Sequence, residues 1–149
     1  EFLLVHVHKA FETADATLPG GHFAAISEVE ATLRGNGLSD TDATRLARLY
    51  GSEAMSVLAD SEGIEAEARW AVLHEGALTL EDYWVRRSAR ARFDEEGGLA
   101  ALEPAAAAMG TLLGWSDSER ARHVNACRET RAREMQAVQQ EVKRAVSGR

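Results

Sequence analysis

The sequence predicts an all-α fold, a single-domain array of about six to seven helices that ends in a long C-terminal helix. Only two of the 149 residues are proline, and the helix-favouring residues Ala, Leu, Glu and Arg are abundant. Glycine, serine and aspartate interrupt these segments at intervals typical of helix ends. A chain of this length is expected to form one unit with a sizeable hydrophobic core.

The first ordered elements are predicted to be a tight turn and a helix. The stretch LPGG, residues 18–21, places proline where φ must be fixed and glycine where φ must be positive. Ser27 and Glu30 have the spacing of a capping box, in which each side chain bonds the backbone of the other residue. We therefore expect a capped helix here that ends at Gly35.

Two more helices are predicted in the next part of the chain. Ser39, Asp40 and Asp42 offer N-cap oxygens for the segment ATRLARLY, and Gly51 is a typical helix end. Ser52 can then cap a short helix over EAMSVLA.

A pair of helices is expected at the centre of the chain. The segment IEAEARWAVLHE, residues 64–75, has helical periodicity and is followed by Gly76. Thr79 and Asp82 have capping-box spacing, which predicts the start of a second helix that continues to about Phe93.

The last third of the sequence predicts one more helix and then the long terminal one. Pro104 is tolerable only near the first turn of its helix, and Gly114 is expected to end that helix. Ser116 and Glu119 form a further capping box for a helix that runs to about Val146. One side of this last helix carries the apolar residues Val124, Met135, Val138 and Val142.

Two adjacent arginines in the central pair have different predicted surroundings. At roughly 100° per residue, Glu75 and Arg87 each fall on the apolar side of their own helix. An unpaired buried guanidinium is very costly, so Arg87 is expected to pair with Glu75 or Glu67 across the two helices. Arg86 lies on the adjacent flank and can pair with Asp82 one turn earlier. The alternative is that one arginine binds an external anion or a partner's acid.

Several functional classes are disfavoured by composition and motifs. The net charge of −7 opposes non-specific binding to nucleic acid, and no apolar run is long enough to span a membrane. Cys127 is the only cysteine, which suits the reducing cytoplasm. The sequence shows no P-loop, dinucleotide fingerprint or metal-ligand spacing. We therefore assign no catalytic, cofactor-binding or metal-binding residue to this chain.

Four stretches occur in an order that resembles a known family. They are TLPGG, LARLYGSEAMSVL, EARWAVLHEGALTLEDYWVRRSARARF and LLGWSDSERARHV. Their order is similar to that in the C-terminal helical domain of FAD-dependent glycerol-3-phosphate dehydrogenases and the related glycerophosphate oxidases. The resemblance covers roughly residues 13 to 135. Its most specific part is the set Glu67, Glu75, Asp82, Arg86 and Arg87, which we expect to form a structural ion-pair network or a domain interface.

The resemblance implies that residues 13–149 are the accessory domain of a larger flavoenzyme, with residues 1–12 unassigned. In such enzymes FAD and substrate lie in an N-terminal domain of the same polypeptide, on which the helical domain packs. The parent would oxidise sn-glycerol 3-phosphate to dihydroxyacetone phosphate and pass electrons to oxygen or to a membrane quinone. A parent using quinone would lie on the cytoplasmic face of the inner membrane. The alternative is a free-standing helical module that binds a protein or a nucleic acid.

Overall fold

The all-α prediction is confirmed by a computed structural model, which describes residues 16–147. These residues contain seven α-helices and no strand. The helices are α1 (Ile26–Gly35), α2 (Asp40–Tyr50), α3 (Ala54–Val57), α4 (Gly63–Leu73), α5 (Arg90–Phe93), α6 (Leu102–Leu113) and α7 (Asp117–Ser147). A π-helical turn covers Asp82–Arg87, and short 3-10 turns cover Gly51–Glu53, Glu95–Gly97 and Leu99–Ala101. The prediction for residues 1–12 lies outside the described residues.

The chain divides into two compact units, the first ending at Met55 and the second beginning at Ser56. In the first unit α1 packs on α2. The buried apolar residues of these two helices are Leu33, Ala43, Leu46, Ala47 and Tyr50.

The predicted turn at residues 18–21 is confirmed and lies against the end of α2. The Gly21 amide donates to the Leu18 carbonyl at 2.9 Å, and Gly20 has a φ of 78°. The Ser52 amide donates to the Gly20 carbonyl at 2.8 Å. A Cβ on Gly20 would lie 2.5 Å from the Tyr50 carbonyl oxygen. The close approach of the two backbones explains why glycine is needed in this turn.

The predicted cap of α2 is confirmed, but that of α1 is wrong. The Ser39 hydroxyl accepts from the Asp42 amide at 3.1 Å. Helix α1 begins one residue earlier than Ser27, after an extended Ala25 whose side chain provides no cap. Ser27 is therefore inside the first turn, and the Glu30 carboxylate lies 3.2 Å from the Arg34 guanidinium instead.

The capping boxes of the second unit are both confirmed. Asp82 accepts from the Thr79 amide at 3.0 Å, and the Thr79 hydroxyl accepts from the Asp82 amide at 3.1 Å. Glu119 accepts from the Ser116 amide at 2.8 Å, and the Ser116 hydroxyl accepts from the Glu119 amide at 3.3 Å. Pro104 is the third residue of α6, as expected for the first turn, and that helix ends at Gly114.

The core of the second unit lies where α6 packs between α4 and α7. Its large members include Leu80, Tyr83, Trp84, Leu102, Met109 and Val124. The start of α7 buries Val124 and Cys127 against this core, whereas Met135 and the residues after it are exposed. Only the first part of the predicted apolar side of α7 is therefore covered.

The helix predicted from Thr79 to Phe93 is interrupted, which corrects the sequence-based prediction. The Ser88 amide donates to the Tyr83 carbonyl at 2.8 Å, a bond between residues five apart that defines a π-helical turn. Ala89 then adopts left-handed backbone angles, with φ at 54°. A new helix, α5, begins at the following residue.

Two adjacent glycines allow close packing around this interruption. The Trp84 indole Nε1 donates to the Gly97 carbonyl at 2.8 Å. A Cβ on Gly97 would lie 2.5 Å from Nε of Arg131 on α7. A Cβ on Gly98 would lie 2.9 Å from Cβ of Arg90. Side chains from two different elements therefore occupy the space that larger residues would need.

Replacing Gly98 by alanine should lower the free energy of unfolding by about 2–4 kcal/mol, because positive φ and steric overlap both oppose the methyl group. Gly98 has a φ of 64°. Gly76→Ala is the matched control, since Gly76 has a φ of 68° but no neighbour within 4 Å. The control should cost only about 1 kcal/mol. Equal losses in urea unfolding curves would show that the contact with Arg90 has no effect.

Candidate functional site

A cluster of charged and polar side chains is partly buried in the second unit, and we call its members Glu67, Tyr83, Arg90 and Asp94 the Arg90 cluster. Nη2 of Arg90 lies 2.7 Å from Oε1 of Glu67, and its Nη1 lies 2.5 Å from Oδ2 of Asp94. Nε of Arg90 donates to the Tyr83 hydroxyl at 3.2 Å. The Glu67 side chain is fully buried, and that of Arg90 is 11% exposed. One guanidinium thus binds three side chains.

The interrupted helix determines which arginine reaches this cluster. Both the amide and the hydroxyl of Ser88 donate to the Tyr83 carbonyl, at 2.8 and 2.9 Å. These bonds close the π-helical turn, and left-handed Ala89 then reorients the chain before α5. Arg90, the first residue of α5, consequently has its guanidinium beside Glu67 of α4. The cluster therefore joins α4 to α5 through two residues, Glu67 and Arg90, that are 23 positions apart in the chain.

The electrostatics of the Arg90 cluster favour fixed protonation states. Burial, followed by the nearby Glu67 carboxylate, raises the pKa of Tyr83 to about 12. Burial by itself would lower the pKa of Arg90, but Glu67, Tyr83 and Asp94 together raise it above its ordinary value. General acid–base catalysis works best with a pKa near the operating pH. The phenol and the guanidinium are therefore suited to holding structure rather than to exchanging protons at neutral pH.

The prediction that Arg87 is buried is wrong. Arg87 is exposed at the end of the π-helical turn, and the buried Glu67 carboxylate is bound by Arg90 instead. The prediction assumed a continuous α-helix, in which each residue rotates by roughly 100°. A π-helical turn and a left-handed residue both break that relation. Glu75, the other predicted acid, lies beyond the end of α4 and is half-buried.

The predicted pair between Arg86 and Asp82 is confirmed. Nη1 of Arg86 lies 2.7 Å from Oδ1 of Asp82, and Arg86 is more than half exposed. Partial burial would raise the pKa of Asp82, but bonds from the Thr79 hydroxyl and amide, the Leu78 amide and the charge of Arg86 lower it overall. Asp82 therefore stabilises the start of its helix chiefly as a carboxylate.

Sequence reasoning overlooked the role of Arg90. One local feature of the sequence could have indicated that role. Arg90 and Asp94 are four residues apart, a spacing that favours an ion pair within a helix, and the two side chains form that pair in the structure. The burial of Glu67 carried no comparable signal, because an acid on a helix is most often solvated.

Replacing Arg90 by methionine should lower the free energy of unfolding by about 3 kcal/mol or more, because the buried Glu67 loses the guanidinium that lies 2.7 Å from its carboxylate. Arg87→Met is the matched control and should change stability by less than about 0.5 kcal/mol, since Arg87 is exposed. Tryptophan fluorescence during urea unfolding measures both. If Arg87→Met lowered the free energy of unfolding more than Arg90→Met did, Arg87 would be the residue that pairs with the buried Glu67.

The contribution of Asp82 should depend on pH. Its folded-state pKa lies below the ordinary value of 3.8, so the stabilisation is complete above that pH. It is lost as the pH falls from 3.8 through the lowered pKa. Asp82→Asn should therefore cost about 0.5–1 kcal/mol at pH 7 and almost nothing near pH 2.

Urea unfolding of the wild type and Asp82→Asn at several pH values tests this dependence. Asp60→Asn, at an exposed aspartate in the loop before α4, is the control. A constant difference between wild type and Asp82→Asn at every pH would mean that the charge of Asp82 contributes nothing.

Metal-binding groups and membrane-spanning helices are both absent from the described residues. Residues 16–147 contain no group of three or more His, Cys, Asp or Glu side chains placed to hold a metal ion. No helix in the same residues is long and apolar enough to cross a membrane. The second unit is a helical body in which the Arg90 cluster lies against an apolar core.

Comparison with known proteins identifies the family of this domain. Residues 11–120 match the family described as the C-terminal domain of alpha-glycerophosphate oxidase. An alpha-glycerophosphate oxidase from Streptococcus pyogenes is 38% identical over 109 residues, which are 63% of this chain and 18% of that protein. One from Enterococcus casseliflavus is 33% identical over 138 residues, 82% of this chain and 23% of that protein. The chain belongs to the family of alpha-glycerophosphate oxidase C-terminal domains, and it spans less than a quarter of the length of these relatives.

Proposed function

We propose that residues 13–149 form the accessory domain of an FAD-dependent enzyme that oxidises sn-glycerol 3-phosphate to dihydroxyacetone phosphate. The family match supports this proposal, because the chain matches a C-terminal domain and its relatives are alpha-glycerophosphate oxidases several times its length. In the proposed reaction FAD, held by the rest of the polypeptide, would accept the hydride from C2 of the substrate while the C2 hydroxyl released its proton. The two electrons and two protons would then reduce oxygen to hydrogen peroxide or a quinone to a quinol.

In this proposal the chain itself is non-catalytic. The charged residues that sequence analysis singled out support such a role, since Asp82 pairs with Arg86 at a helix start and Glu67 binds Arg90 inside the core. FAD and substrate would be held by the N-terminal part of the same polypeptide. The helical domain would pack on that part and stabilise it, and the internal ion pairs would keep the packed surface rigid.

The proposal is tested with the complete gene product that contains this chain and with a version that lacks residues 16–149. The complete protein should be yellow, should release flavin on denaturation and should oxidise sn-glycerol 3-phosphate in the presence of oxygen or a quinone analogue. The truncated version should lose most of its flavin and activity, because an apolar surface would be exposed to water.

The chain of 149 residues, purified alone, is the complementary sample and should be colourless and inactive. Flavin bound to this chain alone would contradict the assignment of FAD to the N-terminal part. Full activity in the truncated protein would contradict the accessory role. Oxidation of a different substrate by the complete protein would contradict the proposed reaction.

A further inference from the structure

The distal segment of α7, residues 132–147, has no packing partner among the described residues. Every residue of this segment is exposed, whereas Val124 and Cys127 earlier in the same helix are buried. The transition falls at Arg131, whose side chain lies over Gly97. The 31-residue helix therefore extends well beyond the body of the second unit.

One side of this segment is apolar, and we call Met135, Val138, Val142 and Val146 the distal stripe. Their exposed fractions are 40%, 55%, 57% and 72%. The spacing of three, four and four residues places them along one side of the helix. A helix surrounded by water gains nothing from three valines in a row on one side, because β-branched residues lower helix propensity. The stripe therefore has the pattern of a surface that is covered in the complete protein.

The residues beside the stripe indicate the chemistry of the covering surface. Glu134 and Glu141 lie seven residues apart and border the same edge of the stripe. The Glu134 carboxylate lies 3.8 Å from the Arg131 guanidinium in the same helix. Glu141 is the exposed acid nearer the C-terminal end of the stripe. Lys143 borders the opposite edge of the stripe. A complementary surface would be an apolar strip with a basic residue along one edge and an acidic residue along the other.

The size of the stripe argues against a second copy of this chain as the covering partner. From Met135 to Val146 the helix extends about 17 Å, and a helix is about 10 Å wide. Contact over this stripe alone would cover a strip about three helical turns long and one helix wide, too small for the roughly 800 Å² of accessible surface per partner that a stable interface buries. A partner on the same polypeptide needs less area, because tethering gives it an effective concentration in the millimolar range.

The relatives provide such a partner. The Streptococcus pyogenes match covers 18% of that protein, and the matched family is a C-terminal domain, so most of the relative precedes it. The family match ends at residue 120, so the distal stripe lies outside the residues that match the family.

We propose that the distal stripe docks on an apolar surface of the N-terminal part of the same polypeptide, with a basic residue opposite Glu141 and an acidic residue opposite Lys143. This inference rests on the proposed function, because it requires that part to be present. The second half of α7 then acts as an arm that holds the accessory domain on the larger part. The compact body of the second unit supplies the rigid base of that arm through the Arg90 cluster and α6.

Limited trypsin digestion of the complete protein tests the proposal. Arg133, Lys143 and Arg144 provide cleavage sites in the distal segment. In the wild type these sites should be cleaved slowly, because the docked helix cannot open. Val138→Glu combined with Val142→Glu should accelerate cleavage by about tenfold or more, because two carboxylates would enter an apolar interface.

Ala137→Glu combined with Gln140→Glu is the matched control. It adds the same charge to the same helix, on the side opposite the stripe. The control should be cleaved at the wild-type rate. The substituted positions are all exposed in the isolated domain, so neither double variant disturbs its core.

Three results would overturn the docking proposal. The first is a wild type that is cleaved as fast as the stripe variant. The second is equal acceleration in the control. The third is protection that appears only at high protein concentration, which would identify a second copy as the partner. Loss of flavin on removal of residues 16–149, together with any of these results, would leave the proposed function standing and reject only the docking surface.

Discussion

The buried ion pair between Arg90 and Glu67 is the interaction on which the second unit depends. Removing two charges from water is costly, and the cost is offset only when the geometry is close and the remaining donors are bonded. Arg90 meets this requirement with Asp94 and Tyr83 as additional partners. The lack of a side chain at Gly98 lets the chain pass directly against Arg90. Helix α4 and the segment after the π-helical turn are therefore fixed relative to each other by one guanidinium.

The unusual backbone around this pair has a physical explanation in the packing. A left-handed alanine costs roughly 1–2 kcal/mol, and a π-helical turn is rare in a soluble protein. Together they allow Tyr83 and Trp84 to be buried while the exposed Arg87 and the clustered Arg90 face different environments. Burial of two large aromatic side chains stabilises the unit by several times the cost of one strained residue. The distortion is thus a consequence of satisfying the core and the buried charge at once.

The proposed role connects family membership with the surface of this domain. In that proposal the domain presents a defined surface to the rest of its polypeptide, and the Arg90 cluster gives that surface a rigid base. The capped start of α7 at Ser116 and Glu119 fixes the direction in which the helix leaves the body of the second unit. Its first part belongs to the core, and its second part is available for contact. In the proposed arrangement the residues of the Arg90 cluster hold the core of the second unit, and those of the distal stripe would make the contact.

Local chemistry is what the sequence by itself determined. The features that the sequence predicted correctly depend on residues within a few positions of one another. They are the helical class, the turn at residues 18–21, the cap at Ser39 and both capping boxes of the second unit. The pair of Arg86 with Asp82 was predictable for the same reason. The start of α1 was not, because an extended Ala25 without a capping side chain leaves no pattern in the sequence. Only the tertiary structure decided that Arg90, and not Arg87, binds Glu67, because that choice follows from a break in the helix that the packed core imposes.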